Sequence, residues 1–153
     1  MKAEHINPFV GSTTKVFDTM LSCELQRGEL SIGDGCQPVY DISGIIGLSG
    51  KAAGTVVLSL SREAAIQATA TMLGETPDDL NGDVVDAVGE LTNMIAGAAK
   101  AELEQLQMSV SLPNVIIGRN HCIQFPTGVK PICIPFESSI GALSVEFGLK
   151  EET

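Results

Sequence analysis

Positive charge is scarce in this sequence. Nine lysines and arginines stand against nineteen acidic residues, and the formal net charge is -10. Binding to a phosphate backbone depends on clustered Lys and Arg side chains, whereas here they are scattered along the chain. We therefore expect no nucleic acid partner.

Charged residues of both signs make up only 18% of the chain, and tryptophan is absent. Hydrophobic residues occupy 44% of the 153 positions, a composition that excludes intrinsic disorder. A chain of this length can bury a sizeable core as one unit. We predict a single domain over residues 1–153.

Long apolar runs and paired cysteines are also missing. No stretch approaches the ~20 apolar residues of a membrane span, and the first residues lack a secretory apolar region, so no membrane contact is expected. The four cysteines contain no Cys-x-x-Cys pair, so neither a zinc site nor a disulfide framework is indicated. These features predict a cytoplasmic protein with reduced, mostly buried thiols.

Common enzymatic motifs are absent as well: the chain has no phosphate-binding loop, dinucleotide fingerprint, His-Glu-x-x-His or Gly-x-Ser-x-Gly. The glycine pair around Asp34 lacks a following helix, so we interpret it as a plain turn. His121 and Cys122 are adjacent, and adjacent side chains do not usually converge, so we expect structural roles for both. We predict no metal site and no cofactor of the protein's own.

The longest helical pattern covers residues 83–105. Its apolar residues recur at helical steps, which places them along one face that should be buried. These residues are Val84, Val88, Leu91, Ile95, Ala98 and Leu106.

The opposite face of this helix is polar. At about 100° per residue, it contains Asp86, Glu90, Asn93, Gly97 and Glu104. Glu90 and Asn93 are neighbours one turn apart and face outward. Gly97 lies one turn further along the same line, although glycine inside a helix costs roughly 1 kcal/mol against alanine. Either a partner approaches closely there or the glycine packs between helices.

Capping signals delimit two further helices. Asn7 as N-cap and Pro8 at the first helical position predict a helix over 8–21. Ser61 as N-cap and Gly74 as a left-handed terminus predict a second over 62–73.

Alternating apolar residues and turn signals predict strands elsewhere, including two hairpins. Pro113 cannot donate a ladder hydrogen bond, so its strand lies at an edge or begins after it. The predicted strands are 29–32, 39–48, 54–60, 109–118, 123–125, 131–136 and 142–149, with 39–48 paired to 54–60 and 131–136 paired to 142–149.

The order of elements is doubled, since a helix followed by strands occurs at 8–60 and again at 83–149. This suggests an internal pseudo-twofold repeat. We predict an α+β fold with a mostly antiparallel sheet and the long helices packed on one face.

A Glu-x-x-Asn spacing alone is weak evidence for a site, because a carboxylate and an amide on an outer helix face are usually solvated surface. Glu4 and Asn7 repeat this spacing. Asn7 precedes a proline, however, which disfavours helical backbone, so we expect that copy not to share one helical face.

The segment Glu90-Leu91-Thr92-Asn93-Met94-Ile95-Ala96-Gly97 resembles the signature helix of the CheX and CheC family of chemotaxis phosphatases. Ile6-Asn7-Pro8-Phe9-Val10 is similar to the N-terminal helix of CheX, and Ser111-Leu112-Pro113-Asn114-Val115 to the segment that follows the signature helix. The closing hairpin is similar too, so the resemblance covers most of the chain in order.

This resemblance implies a phosphatase for the aspartyl phosphate of a CheY-type response regulator, which itself supplies Mg²⁺. It implies that Asn93 positions the attacking water and that Glu90 pairs with a lysine of the regulator. Gly97 would then let the regulator come close.

Two properties of the family bear on assembly and site number. CheC members show two helical Glu-x-x-Asn motifs, so the single predicted motif favours CheX. CheX members act as homodimers, and we expect an edge strand in the 39–60 hairpin to provide the pairing surface. The alternative function is a non-catalytic interaction module, as in related flagellar switch proteins. Small-molecule binding at a dimer interface has no supporting residues.

Overall fold

A computed structural model describes residues 3–33, 40–119, 121 and 123–152 of the chain. Over these ranges the chain forms three α-helices and one eight-stranded sheet. The helices are α1 (Ala3–Leu21), α2 (Arg62–Leu73) and α3 (Gly82–Ala101). The strands are β1 (Gln26–Arg27), β2 (Ser31–Ile32), β3 (Ile42–Ser49), β4 (Ala52–Leu60), β5 (Ser109–Val110), β6 (Asn114–Ile117), β7 (Ile132–Glu137) and β8 (Leu143–Glu151).

The sheet is antiparallel at every pairing among the described residues. Its order is β1-β7-β8-β4-β3-β5, with β2 also on β7 and β6 also on β3. Both predicted hairpins, β3 with β4 and β7 with β8, are confirmed. Exchanging β1, β3 and β4 with β5, β7 and β8 gives the same strand order read from the opposite edge, so this order is compatible with the predicted internal repeat.

The helices cover one face of the sheet, and the apolar core lies between these two layers. The ring of Phe9 on α1 stacks on Phe147 of β8 with 4.6 Å between ring centroids. Residues that alternate along the central strands, such as Ile46, Leu58 and Val145, are fully buried. The predicted α+β architecture is therefore confirmed.

Helix α2 has the predicted bounds and both predicted caps. The Ser61 side chain accepts a hydrogen bond from the backbone N–H of Ala64 at 3.1 Å. Gly74 ends the helix with φ 81°, in the left-handed region that glycine tolerates.

The predicted start of α1 is wrong. The helix begins at Ala3, so Asn7 is helical rather than an N-cap and Pro8 lies inside the helix. Pro8 removes only the hydrogen bond to Glu4, close to the helix start. His5 is buried, which shows that tertiary packing holds this first turn in place. Consequently Glu4 and Asn7 do share a helical face, contrary to prediction.

The end of α3 also differs from the prediction. The helix stops at Ala101, and a separate 3-10 turn follows at Glu104–Leu106. Leu106 is buried but belongs to that turn rather than to α3. Ala98 of the predicted apolar stripe is only half-buried.

Several predicted strands change. Only Ser31–Ile32 of the 29–32 segment is a strand, and residues 123–125 form none. Phe125 instead packs over Gly148, on the sheet face opposite the helices. Asp34, Gly35 and Val39 lie outside the described residues, as do Cys36 and Cys122.

The predicted edge strand in the 39–60 hairpin is wrong. β3 pairs with β4 on one side and with β5 and β6 on the other, and β4 also pairs with β8. This hairpin is central because its residues are apolar on both faces: Val56, Val57 and Leu58 are all buried. The strand around Pro113 lies at the edge, as predicted, and is split into β5 and β6.

Candidate functional site

Helix α3 is fixed to the sheet by a close contact. The Thr92 hydroxyl is buried and donates to the backbone carbonyl of Val88 at 2.7 Å. Beneath it, Gly44 of β3 leaves room for Thr92, because a Cβ at Gly44 would collide with the Thr92 Oγ1 atom. Asn81 caps the helix start by accepting from the N–H of Val84 at 3.2 Å. The rotation of α3, and hence the direction of its polar face, is thereby set.

Glu90 and Asn93 both lie exposed on the outer face of α3, as predicted. Neither side chain has a hydrogen bond or ion pair within the part of the chain that the structure describes. They are one helical turn apart, so a carboxylate and an amide are held side by side and free for a partner.

Gly97 continues this line and is half-buried. A Cβ added there would have no neighbour within 4 Å. The alternative that Gly97 packs between helices is therefore wrong, and the surface beside Asn93 is open.

A groove of about 480 Å³ runs along one side of Asn93. Its second wall is the segment between β5 and β6, which crosses beside α3 at Pro113. Gly89 allows this approach, since a Cβ there would lie 3.5 Å from the Pro113 Cγ atom. The lining residues are Val85, Asp86, Gly89, Glu90, Asn93, Leu112, Pro113 and Val115.

A second groove of about 420 Å³ lies on the other side of Asn93. It is bounded by the last two turns of α3 and by the chain leading into β5. The lining residues are Asn93, Gly97, Lys100, Ala101, Glu104, Gln107, Met108 and Val110. Asn93 borders both grooves, so any protein laid across α3 meets its amide at the centre.

Charge on this helix is unevenly distributed. Asp83, Asp86 and Glu90 occupy the first half of its exposed face, whereas Lys100 is the basic residue of its last turn. The first half of this face is therefore acidic, whereas the last turn has one cation, Lys100, with the exposed carboxylates of Glu102 and Glu104 following it.

Helix α1 repeats the spacing of the α3 motif. Glu4, Asn7 and Gly11 are exposed, and a Cβ at Gly11 would also meet nothing within 4 Å. Sequence reasoning dismissed this copy because of Pro8, and the helical backbone at Asn7 overturns that argument.

Among the residues that the structure describes, the remaining candidates form no catalytic cluster. His121 is half-buried, and its Nε2 atom has no partner among the described residues. No three His, Cys, Asp or Glu side chains come together as metal ligands over the described ranges. Within the same ranges, no helix is long and apolar enough to cross a membrane.

Sequence reasoning missed part of the groove walls. Leu112 and Pro113 were assigned to a strand and to a segment that resembles CheX, but not to a site, and Lys100 was assigned no role. Pro113 interrupting a strand was the available signal, but its position beside Gly89 depends on how the strand returns past α3.

Solved structures share this fold. The chemotaxis protein CheX from Vibrio vulnificus matches with a TM-score of 0.88 and 34% identity, over 97% of this chain and 100% of that one. The CheX of a CheX–CheY–BeF3–Mg²⁺ complex from Borrelia burgdorferi has a TM-score of 0.80 at 22% identity, over 98% and 100% of the two chains. The fold and site therefore define an α+β protein of the CheX-like chemotaxis class.

Sequence comparison narrows this class to one family. The family described as chemotaxis phosphatase CheX matches residues 42–137. A relative from Thermotoga maritima, the CheY-P phosphatase CheX, is 29% identical over 123 residues, which is 78% of this chain and 79% of the relative. The chain belongs to the CheX family of chemotaxis phosphatases.

Proposed function

We propose that the protein is a phosphatase that hydrolyses the aspartyl phosphate of a CheY-type response regulator, and so ends a signal in chemotaxis or a related two-component pathway. The observation that carries this proposal is a pair of exposed, unpartnered side chains on a rigid helix: Glu90 lines one groove, and Asn93 lies between that groove and a second. The Thermotoga relative is named for this activity.

Asn93 acts as the positioning group for the attacking water. Its amide can accept through oxygen or donate through nitrogen, and holds the water in line with the phosphorus–oxygen bond. Phosphoryl transfer through a loose transition state needs positioning and electrostatics more than a strong base. An amide on a fixed helix is therefore sufficient.

Glu90 engages a lysine of the regulator. One turn from Asn93, its carboxylate forms a charge-assisted contact that sets the register of α3 on the partner. Gly97, with open space above it, lets the regulator's surface come close.

The regulator supplies the metal in this proposal. The Borrelia complex contains Mg²⁺ and BeF3 together with CheX and CheY, which supports a shared active site completed by the partner. The chain's own contribution is then limited to the water, the docking carboxylate and the shape of the grooves.

We further propose that the chain works in the cytoplasm as a homodimer of single-domain subunits. The edge strand β6 is the surface for pairing: Ile116 is 37% and Ile117 52% exposed, and the outer edge of β6 has no strand partner among the described residues. Unpaired apolar edges favour association with another strand.

A non-catalytic interaction module is the alternative function. Phosphate release from a phosphorylated regulator, followed with and without the protein, separates the two. The phosphatase accelerates release at substoichiometric concentration, whereas a module binds the regulator and leaves the rate unchanged. Binding without acceleration for every phosphorylated CheY-type regulator tested would overturn the proposal.

A further inference from the structure

Lys100 is a basic side chain without an acidic partner on the same surface as Asn93. It lines the groove shared with Asn93 and Gly97 and is half-buried there. Like most basic side chains among the described residues, Lys100 forms no ion pair. What distinguishes it from the other lysines is its place in this groove, which Glu104 also lines.

The spacing along α3 separates Lys100 from the reaction itself. At 1.5 Å per residue, Lys100 lies about 10 Å from Asn93 and about 15 Å from Glu90 along the helix axis. Lys100 therefore does not share the water held by Asn93. Its charge is instead available to a second point on the surface of a protein that covers both grooves.

The ordinary explanation for this lysine is structural. A cation in the last turn of a helix interacts favourably with the helix dipole. That effect concerns stability alone and does not require a place in a groove beside the motif. The two roles are distinguishable because a dipole contribution changes the unfolding free energy and leaves recognition untouched.

We propose that Lys100 fixes the direction in which the phosphorylated regulator lies along α3, by binding an acidic side chain of the regulator in the second groove while Glu90 binds a basic one in the first. This inference rests on the proposed function. A regulator with a basic group near Glu90 and an acidic group near Lys100 has two attractive contacts. If it were turned end to end, its basic group would face Lys100 and its acidic group would face Glu90, and both contacts would be repulsive. Lys100 is thus a positioning residue.

Steady-state kinetics with a phosphorylated regulator at low ionic strength test this role. For Lys100→Glu we expect KM to rise about five- to tenfold with kcat within about twofold of wild type, since charge at an interface rim mainly affects encounter. Lys100→Arg retains the charge and should keep the wild-type KM. The rise in KM should shrink at high salt because exposed charges are screened.

Lys130→Glu is the matched control. It makes the same change in net charge at an exposed position in the loop that packs on the other face of the sheet. If Lys130→Glu raises KM as much as Lys100→Glu, or if Lys100→Glu leaves KM unchanged, the positioning role is wrong. Should Lys100→Glu fail to fold, Lys100→Gln takes its place with a smaller expected rise in KM.

Failure of this inference is separable from failure of the proposed function. Wild-type protein that does not accelerate phosphate loss contradicts the function itself. An active wild type whose KM is indifferent to Lys100 contradicts only the orientation of the regulator.

Discussion

At Gly97, stability of the helix and binding of a partner favour different residues. An alanine there would meet no neighbour within 4 Å, and alanine is favoured over glycine in a helix by about 1 kcal/mol. Folding alone therefore gives no reason for a glycine at this position, which is why close approach of a partner is the better explanation.

Gly97→Ala should accordingly raise the unfolding free energy by about 0.5–1 kcal/mol while raising KM for the phosphorylated regulator severalfold. Urea unfolding and steady-state kinetics measure the two effects. Gly11→Ala on α1 is the matched control, since its Cβ also meets open space but Gly11 lines neither groove beside Asn93. This variant should gain stability without a change in KM. An unaltered KM in Gly97→Ala would show that no partner approaches there.

The positions of site residues could be predicted from the sequence where they depend on one helix alone. The 100° rotation per residue is sufficient to place Glu90 and Asn93 on the exposed face of α3, and the structure confirms it. Pro113 and Leu112 come from a different segment, so their place in the groove depends on strand pairing. No local pattern encodes that contact.

At the scale of elements, caps predicted α2 correctly but misplaced the start of α1. Ser61 and Gly74 act through their own backbone, so their signals are local. The Asn7-Pro8 signal was equally local, but the helix extends back to Ala3, where His5 is buried against the rest of the molecule. Tertiary packing outweighed the proline.

Strand β6 is the element that the proposed homodimer depends on. Sedimentation should give a mass of about twice 16.0 kDa for the wild type and of one chain for Ile117→Lys, because a charge disfavours pairing at a sheet edge. Ile32→Lys makes the same change on the opposite edge, at a residue that is 65% exposed, and should leave the dimer intact. A monomeric wild type, or dissociation by Ile32→Lys alone, contradicts pairing through β6.

The whole molecule contains a buried carboxyl away from the proposed site. Glu146 of β8 lies opposite Cys133 of β7 on the sheet face away from the helices. It is only 8% exposed, and its Oε2 atom has no partner among the described residues. Burial raises the pKa of Glu146 from 4.5 to about 7. Burial, with a smaller effect of Glu146, also raises the pKa of the Cys133 thiol to about 11, so this thiol stays protonated at neutral pH.

This carboxyl should make stability fall as pH rises. Because the folded pKa exceeds the unfolded one, the stabilising contribution is complete below pH 4.5 and is lost as pH passes through about 7. The loss is about 1–3 kcal/mol, since each pKa unit corresponds to about 1.4 kcal/mol. Glu146→Gln should remove this part of the pH dependence in urea unfolding at pH 5 and pH 8. Glu137→Gln, at an exposed position, serves as the control. If the unfolding free energy changes equally between pH 5 and pH 8 in wild type and Glu146→Gln, Glu146 is not the source of the pH dependence.

The most direct test of the account is the rate of phosphate loss from a regulator saturated with the protein. Asn93→Ala should lower that rate about a hundredfold, because the water loses its positioning group, while circular dichroism shows an unchanged fold. Glu90→Ala should mainly raise KM. Asn7→Ala, the same substitution in the outward motif of α1, should keep the wild-type rate, because Asn7 lines neither groove beside Asn93 and Glu4 lies 3.8 Å from the His5 Nε2 atom. A wild-type rate in Asn93→Ala would contradict the central claim that this amide positions the attacking water.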